Sequence, residues 1–295
     1  MIDFKKYILD NGLTLIVHHD VSTPIATVNL LYNVGSKHEN PERTGFAHLF
    51  EHLMFEGSLN VPVYDTPLQQ AGGENNAFTS NDITNYYLTL PLDNLETAFW
   101  LESDRMLGLK LTEEKIRIQK NVVIEEFNQR YRNQPYGDAL MMLRSMAYKV
   151  HPYQWSTIGK DISHIEQATG EEVRDFFYHH YAPNNAILTV VGNVNPDRVR
   201  QLAEKWFGPI PNRELEQKEI PKEPEQQEPR SMEVTRDVPH HVIYKAYHMC
   251  DRNHPDYHAT DLISDLLANG NSARLYQNLV KKKQIFSSID AYITG

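Results

Sequence analysis

The sequence predicts an α+β protein that carries the same folding unit twice, the second copy shorter than the first. Three observations lead there. Short runs of alternating apolar residues, which suit half-buried strands, are interspersed with longer stretches whose apolar residues recur at helical spacing. A strand–loop–helix pattern in the first part of the chain recurs near its end. Between the two lies PIPNRELEQKEIPKEPEQQEPR, rich in Pro, Glu and Gln and almost free of apolar side chains, which reads as an extended, semi-rigid linker. The expected boundaries are a first domain over 1–208, the linker over 209–230 and a second domain over 231–295. A length of 295 residues accommodates two domains of ~100–200 residues each.

The elements follow in order. In MIDFKKYILDNGLTLIVHHD, two apolar runs flank Asn11-Gly12, a strong hairpin signal. Ile25 to Val34 alternates and reads as a third strand. The polar loop GSKHENPERTG leads into GFAHLFEHLMFEG, where Ala47, Leu49, Phe50, Leu53, Met54 and Phe55 support a helix. Gly72-Gly73 breaks the chain, after which Ala77-Phe78-Thr79 and Thr84 to Leu90 read as an antiparallel pair. Asp93 to Leu109 reads as a helix with Leu95, Phe99 and Met106 on one side. Thr112 is the expected N-cap of the next helix, with Glu113 and Glu114 in its first turn, where the helix dipole favours acids. HPYQWSTIGKDISHIEQAT reads as a loop and a helix start, and Glu171 to His180 as a helix. YAPNNAILTVVGNV gives a loop and a buried strand, and Asp197 to Phe207 a closing helix.

The chemistry concentrates in His48-Leu49-Phe50-Glu51-His52. Residues four apart on a helix stack on one face, so His48 and His52 can point at one atom. Neutral imidazoles at that spacing suit zinc, a borderline-soft divalent ion. Glu51 lies on the neighbouring edge, within reach of a water beside such an ion without being a ligand. The competing reading is a hydrogen-bonded polar cluster in a core helix, since buried His and Glu must be paired. A third ligand separates the two readings. The helix TEEKIRIQKNVVIEEFNQRY offers Glu125 and Glu126. On a 3.6-residue period Glu126 falls among Val122, Val123, Ile116 and Phe127, and Glu125 lies further toward the polar side. A carboxylate within an apolar stripe is costly unless paired or metal-bound, which selects Glu126 and leaves Glu125 solvated or supporting. Two His and one Glu leave a fourth zinc position open, the catalytic arrangement. His179-His180 and His240-His241 are set aside as ligands, because adjacent residues face different directions.

Composition narrows the function classes. A formal net charge of −10 without an obvious basic patch argues against a nucleic-acid partner. No run approaches the ~18 apolar residues of a membrane span, and the N-terminus lacks the apolar segment of a signal peptide. Cys250 is the single cysteine, which excludes an internal disulfide and favours a reducing, cytoplasmic compartment; a periplasmic one requires an upstream signal already removed. As a side chain, Cys250 reads as a small buried hydrophobe.

Past the linker the pattern restarts. HVIYKAYHM reads as a strand, DRNHPDY as a loop and ATDLISDLLANG as a helix. With Gly270 set under Gly57, Leu49, Phe50, Leu53 and Met54 fall on Leu262, Ile263, Leu266 and Leu267, whereas His48, Glu51 and His52 meet Asp261, Ser264 and Asp265. The copy keeps the apolar skeleton and loses the site. Far fewer residues follow Gly270 than follow Gly57 in the first copy, so a chain that continues beyond this sequence is expected.

These residues resemble the insulinase/pitrilysin family of inverzincin zinc metallopeptidases, in particular bacterial relatives of the mitochondrial processing peptidase. The matching stretches are GFAHLFEHLMFEGS, AGGENNAFTSNDITNYY, NVVIEEFNQR, HPYQWSTIG, YAPNNAILTVVGNV and NGNSARLYQNL. The resemblance implies domains built of an antiparallel sheet with helices on one face, two domains forming a half and two halves enclosing a chamber. It implies one zinc ion per chain held by His48, His52 and Glu126, with Glu51 as general base. It further implies that Asn76, Ala77, Phe78 and Thr79 form an edge strand that pairs with a peptide substrate. The sequence departs from the family twice. Gln119 stands where members carry a glutamate seven residues before the third ligand, which bears on the tuning of the site. Val280 and Ser287 stand where members that have them carry a substrate-holding Arg and Tyr, so a second homologous half is expected to supply those groups. The rival reading is a peptide-binding or assembly subunit with an idle site; a retired site should have lost one of His48, Glu51, His52 or Glu126, and all four are present.

Overall fold

The computed structural model describes residues 2–215 and 218–294. The chain divides into two compact units, one running to Val242 and the other starting at Ile243. The first holds a six-stranded sheet of β1 (Lys5–Ile8), β2 (Thr14–His19), β3 (Ile25–Tyr32), β4 (Glu74–Thr79), β5 (Thr84–Pro91) and β6 (Ala186–Gly192). Its helices are α1 (Phe46–Leu53), α2 (Asp65–Gln70), α3 (Leu95–Leu107), α4 (Glu113–Phe127), α5 (Ala139–Ala147), α6 (Ser163–Glu166), α7 (Gly170–His180) and α8 (Pro196–Trp206). The second unit holds α9 (Tyr257–Ala268) and a π-helical stretch over Tyr276–Lys282.

The spatial strand order is β1-β2-β6-β3-β5-β4. Every neighbouring pair is antiparallel except β2 and β6, which run parallel. Alternation along the strands decides which face is covered. Ala26, Val28, Leu30 and Tyr32 of β3, Tyr86, Leu88 and Leu90 of β5, and Leu188 and Val190 of β6 are all buried. Helices α1, α3 and α8 pack on the sheet, whereas the alternate residues Thr27, Asn29, Tyr87 and Thr189 stay half-exposed. A one-residue slip of β3 would turn its buried set outward at ~1.5–3 kcal/mol for each large side chain, which fixes the register. The sheet with helices on one face is thus the predicted architecture, with one parallel pair where β6 returns to the middle.

The stretch from 211 to 242 contains neither helix nor strand among its described residues, yet it is strapped to the first unit. Asn11 Nδ2 donates to the carbonyls of Phe207 and Ile210 (2.8 and 2.9 Å). The Arg213 guanidinium donates to Phe177 and Tyr181 at the end of α7 and to Met106 and Leu107 at the end of α3, at 3.2–3.4 Å. It therefore satisfies the orphan carbonyls of two helix C-termini at once. Glu223 accepts from the backbone N–H groups of Lys149, Val150 and His151, each at 2.8 Å. Arg236 pairs with Asp138 at 3.1 Å, and the Tyr136 hydroxyl bonds both backbone groups of His240.

The strand expected over 241–249 does not form. All six strands belong to the first unit, so within the second unit an extended segment has no ladder neighbour, and an unpaired strand is not stable by itself. The α9 helix forms as expected, and Gly270 repeats the left-handed turn of Gly57 (φ +83° and +98°). The apolar skeleton carries different burdens in the two copies: Leu49, Phe50 and Leu53 are fully buried, while Leu262, Ile263 and Leu266 are exposed.

Candidate metal centre

Helix α1 starts at Gly45, which has φ +94° and no side chain to cap the helix. The cap comes from Glu39 in the preceding loop. Its Oε2 accepts from Gly45 N and its Oε1 from Ala47 N, both at 2.9 Å. Burial drives the Glu39 carboxyl up to about 8, against the pull of those two N–H donors. The far end of α1 is held by α3. Asp104 accepts from the Ser58 hydroxyl, from Asn60 N (3.0 Å) and from Asn60 Nδ2 (2.6 Å). The Arg105 guanidinium pairs with Glu102 at 2.5 Å and lies 4.4–5.3 Å from the ring centroids of Tyr86, Tyr64 and Phe55.

With Leu49, Phe50 and Leu53 turned into the core, the polar residues of α1 emerge on its flank. Helix α4 brings Glu126 to them. Its N-cap is Thr112, whose side chain accepts from Lys115 N, and its buried Ile116 and Val123 hold it to the core. Side-chain exposures are 12% for His48, 22% for Glu51, 25% for His52 and 17% for Glu126. Glu126 Oε2 lies 3.2 Å from His48 Nε2 and 3.3 Å from His52 Nε2. The ligand atoms of all three residues fall within 4.8 Å of one another. Glu125 is exposed, on the other side of the helix edge.

These residues fit zinc. Donors at ~2.0–2.1 Å from a tetrahedral ion stand about 3.3 Å apart, the separation found from Glu126 to each imidazole. The electrostatics point the same way. Hydrogen bonds from His48 and His52 hold Glu126 well below the usual carboxylate range. Burial disfavours the charged form of His48, but Glu126 and Glu51 outweigh it and raise the imidazole to about 9. The cluster thus favours positive charge between its three donors, which a divalent cation would supply. Glu51 stands beside it, with Oε2 3.4 Å from His48 Nδ1. Burial raises the Glu51 carboxyl, yet His48, Thr79 and His52 together bring it below its ordinary value. The Thr79 hydroxyl is buried beside Glu51.

The other predicted positions fall as follows. Asn76, Ala77, Phe78 and Thr79 lie on β4, the edge strand, whose ladder partner is β5. Asn76 and Phe78 are exposed, and Ala77 and Thr79 lie half-buried on the alternate face. Helix α1 packs beside this strand. Gln119 donates to Glu56 Oε1 at 2.6 Å, so it ties α4 to the chain just past α1 instead of bonding a ligand. His180 is a core histidine against the Phe176 ring (4.5 Å), and His179 bonds the Asp175 carbonyl. Sequence reasoning missed Arg130, whose NH1 forms an ion pair with Glu126 Oε1 at 2.9 Å. The i,i+4 spacing of Glu126 and Arg130 was the available signal.

Comparison with known proteins gives concordant results. The family model described as Insulinase (Peptidase family M16) matches residues 14–161, and that of the Peptidase M16 inactive domain matches residues 167–295. Zinc protease PqqE of Helicobacter pylori is 35% identical over 287 residues, covering 95% of this chain and 64% of that protein. The mitochondrial-processing peptidase subunit beta of Saccharomyces cerevisiae is 28% identical over 209 residues, covering 70% of this chain and 45% of that one. The chain therefore spans 64% and 45% of the lengths of these relatives. A crystal structure of a protease from Helicobacter pylori superposes with a TM-score of 0.84 at 32% identity, covering 99% of this chain and 73% of that one. The matched family models and this likeness, across both units, show that the chain belongs to the insulinase family of peptidases, family M16.

Proposed function

We propose that this chain carries the catalytic site of a zinc-dependent endopeptidase that cuts extended or unfolded peptides. The observation that carries this reading is the convergence of His48, His52 and Glu126, with Glu126 3.2 and 3.3 Å from the two imidazoles and all three within 4.8 Å of one another, with the Glu51 carboxylate beside them. Bound zinc supplies Lewis-acid chemistry that polarises a carbonyl and acidifies water. Glu51, held ionised at neutral pH, takes the proton of the attacking water and delivers it to the leaving amine. The open edge of β4 at Asn76–Thr79 suits main-chain pairing with an extended peptide, with Phe78 exposed beside it. Val280 and Ser287 offer no strong donor to a substrate carbonyl, which supports a second homologous half that supplies Arg and Tyr. The division into a catalytic domain, a strap over 209–230 and a non-catalytic copy belongs to the same proposal, as does a cytoplasmic location.

The test compares the parent with Glu51→Gln on an unstructured peptide, using this chain alone and with a homologous half. Glu51→Gln should keep its zinc and lose ~10²-fold or more in rate. The chain alone should run ~10²–10³ slower than the completed enzyme, the effect of one missing oxyanion-side donor. Parent-rate cleavage by Glu51→Gln would remove Glu51 as the base. An isolated monomer as fast as the completed enzyme would remove the second half.

A further inference from the structure

Glu126 presents its two oxygens to different partners. Oε2 faces both imidazoles, at 3.2 and 3.3 Å. Oε1 is ion-paired with the Arg130 guanidinium at 2.9 Å. We propose that Arg130 is a positioning residue of the metal centre, which keeps Glu126 a one-oxygen ligand; this rests on the zinc reading above.

Helix α4 does not stop at Phe127 but continues as a π-helical turn over Asn128–Arg132, closed by Asn133 N donating to Asn128 O at 2.8 Å. Such turns inside helices occur frequently at functional sites. Here the turn follows the third ligand directly and carries Arg130 on the Glu126 side. A carboxylate can hold a metal through one oxygen or both. With Oε1 engaged by a guanidinium, one oxygen is left for the ion, so the coordination number stays low and a position remains open for water or substrate. The ion pair also biases the orientation of the carboxylate, as outer partners of metal ligands commonly do. The plain alternative is an exposed i,i+4 helix pair, since the Arg130 side chain is 67% exposed. Such a pair is worth ~0.3–0.5 kcal/mol and would leave the metal unaffected. The same exposure decides the direction of the effect. Solvent screens the repulsion between the guanidinium and a cation, so orientation outweighs charge and loss of Arg130 weakens binding.

The experiment compares the parent, Arg130→Met and Arg130→Lys, each with zinc titrated against a chelator and with cobalt in place of zinc. Arg130→Met should bind zinc about 10-fold more weakly. Its cobalt visible band should lose intensity as Glu126 closes onto the ion with both oxygens and raises the coordination number. Arg130→Lys, which restores a donor but not the planar fork, should recover part of both. Circular dichroism should show the same fold for all three. Zinc affinity within twofold of the parent together with an unchanged cobalt spectrum in Arg130→Met overturns the proposal and leaves the zinc reading intact. A parent that binds neither ion overturns the zinc reading and this inference with it.

Discussion

Glu39→Ala removes the carboxyl group that caps α1, the helix carrying His48, Glu51 and His52. The site is buried, and Gly45 N and Ala47 N each lose their bond to it. Gly45 has no side chain to substitute, and its left-handed conformation disfavours any replacement that does. Two buried donors left unpaired cost ~1–3 kcal/mol each, or ~2–6 kcal/mol together. Part of this is offset, because burying the carboxyl is itself unfavourable, as its rise to about 8 shows. A net loss of about 2–4 kcal/mol is expected, measured by urea unfolding of the metal-free protein. Zinc binding should weaken as well, since Ala47 precedes His48 in the turn that loses its anchor. The pH dependence follows from the sign of the shift. A carboxyl raised in the folded state contributes stability that is fully present below its unfolded value of 4.5 and is lost as pH rises through about 8. Glu39→Gln, which keeps one acceptor, should cost about half as much and flatten that slope. An unfolding free energy for Glu39→Ala within ~0.5 kcal/mol of the parent, the range of an inconsequential surface change, would refute the capping argument.

Two further outcomes are expected. His48→Ala, His52→Ala and Glu126→Ala should each release the zinc that the parent retains through dialysis; metal analysis checks this, and full zinc in Glu126→Ala would move the third ligand elsewhere. Arg213→Ala should lower unfolding stability by ~1–3 kcal/mol through the loss of charge-assisted bonds to two helix ends, and a melt indistinguishable from the parent would show that the strap is not held there.

The parts of this molecule legible in the sequence are those where one local period decides the answer. The stripe of Leu49, Phe50 and Leu53 set the orientation of α1, whereas of the apolar residues invoked around Glu126 only Ile116 and Val123 are buried and Val122 is exposed. Thr112 was readable as a cap because its partner lies three residues away. The parts that were not legible depend on distant partners. Glu39 sits in a polar loop and looks solvated until the fold returns Gly45 and Ala47 to it. The charged residues Glu102, Asp104 and Arg105 suggest exposure, yet all are buried, among Ser58, Asn60 and the rings of Phe55, Tyr64 and Tyr86 supplied by other elements. Helix α5 buries none of its residues, so its apolar run has no core to report on. The segment 241–249 failed in the opposite sense: its alternation suits a strand, but alternation describes a face and not the neighbour that a strand needs.

The middle position of β6 governs the order in which this domain can be made. Thr14 pairs with Ile187 and Tyr32 with Ala186, so the central ladder joins the start of the domain to its last strand. Contacts of that sequence separation make folding slow. On a growing chain β2 and β3 each wait with an open edge, the condition under which strands pair with the wrong partner. Both His48 and Glu126 lie inside the loop that β6 closes, so the two helices that carry them settle on a finished sheet only after synthesis has passed Gly192. An emerging chain therefore lacks the assembled cluster of His48, His52 and Glu126 until the sheet is sealed.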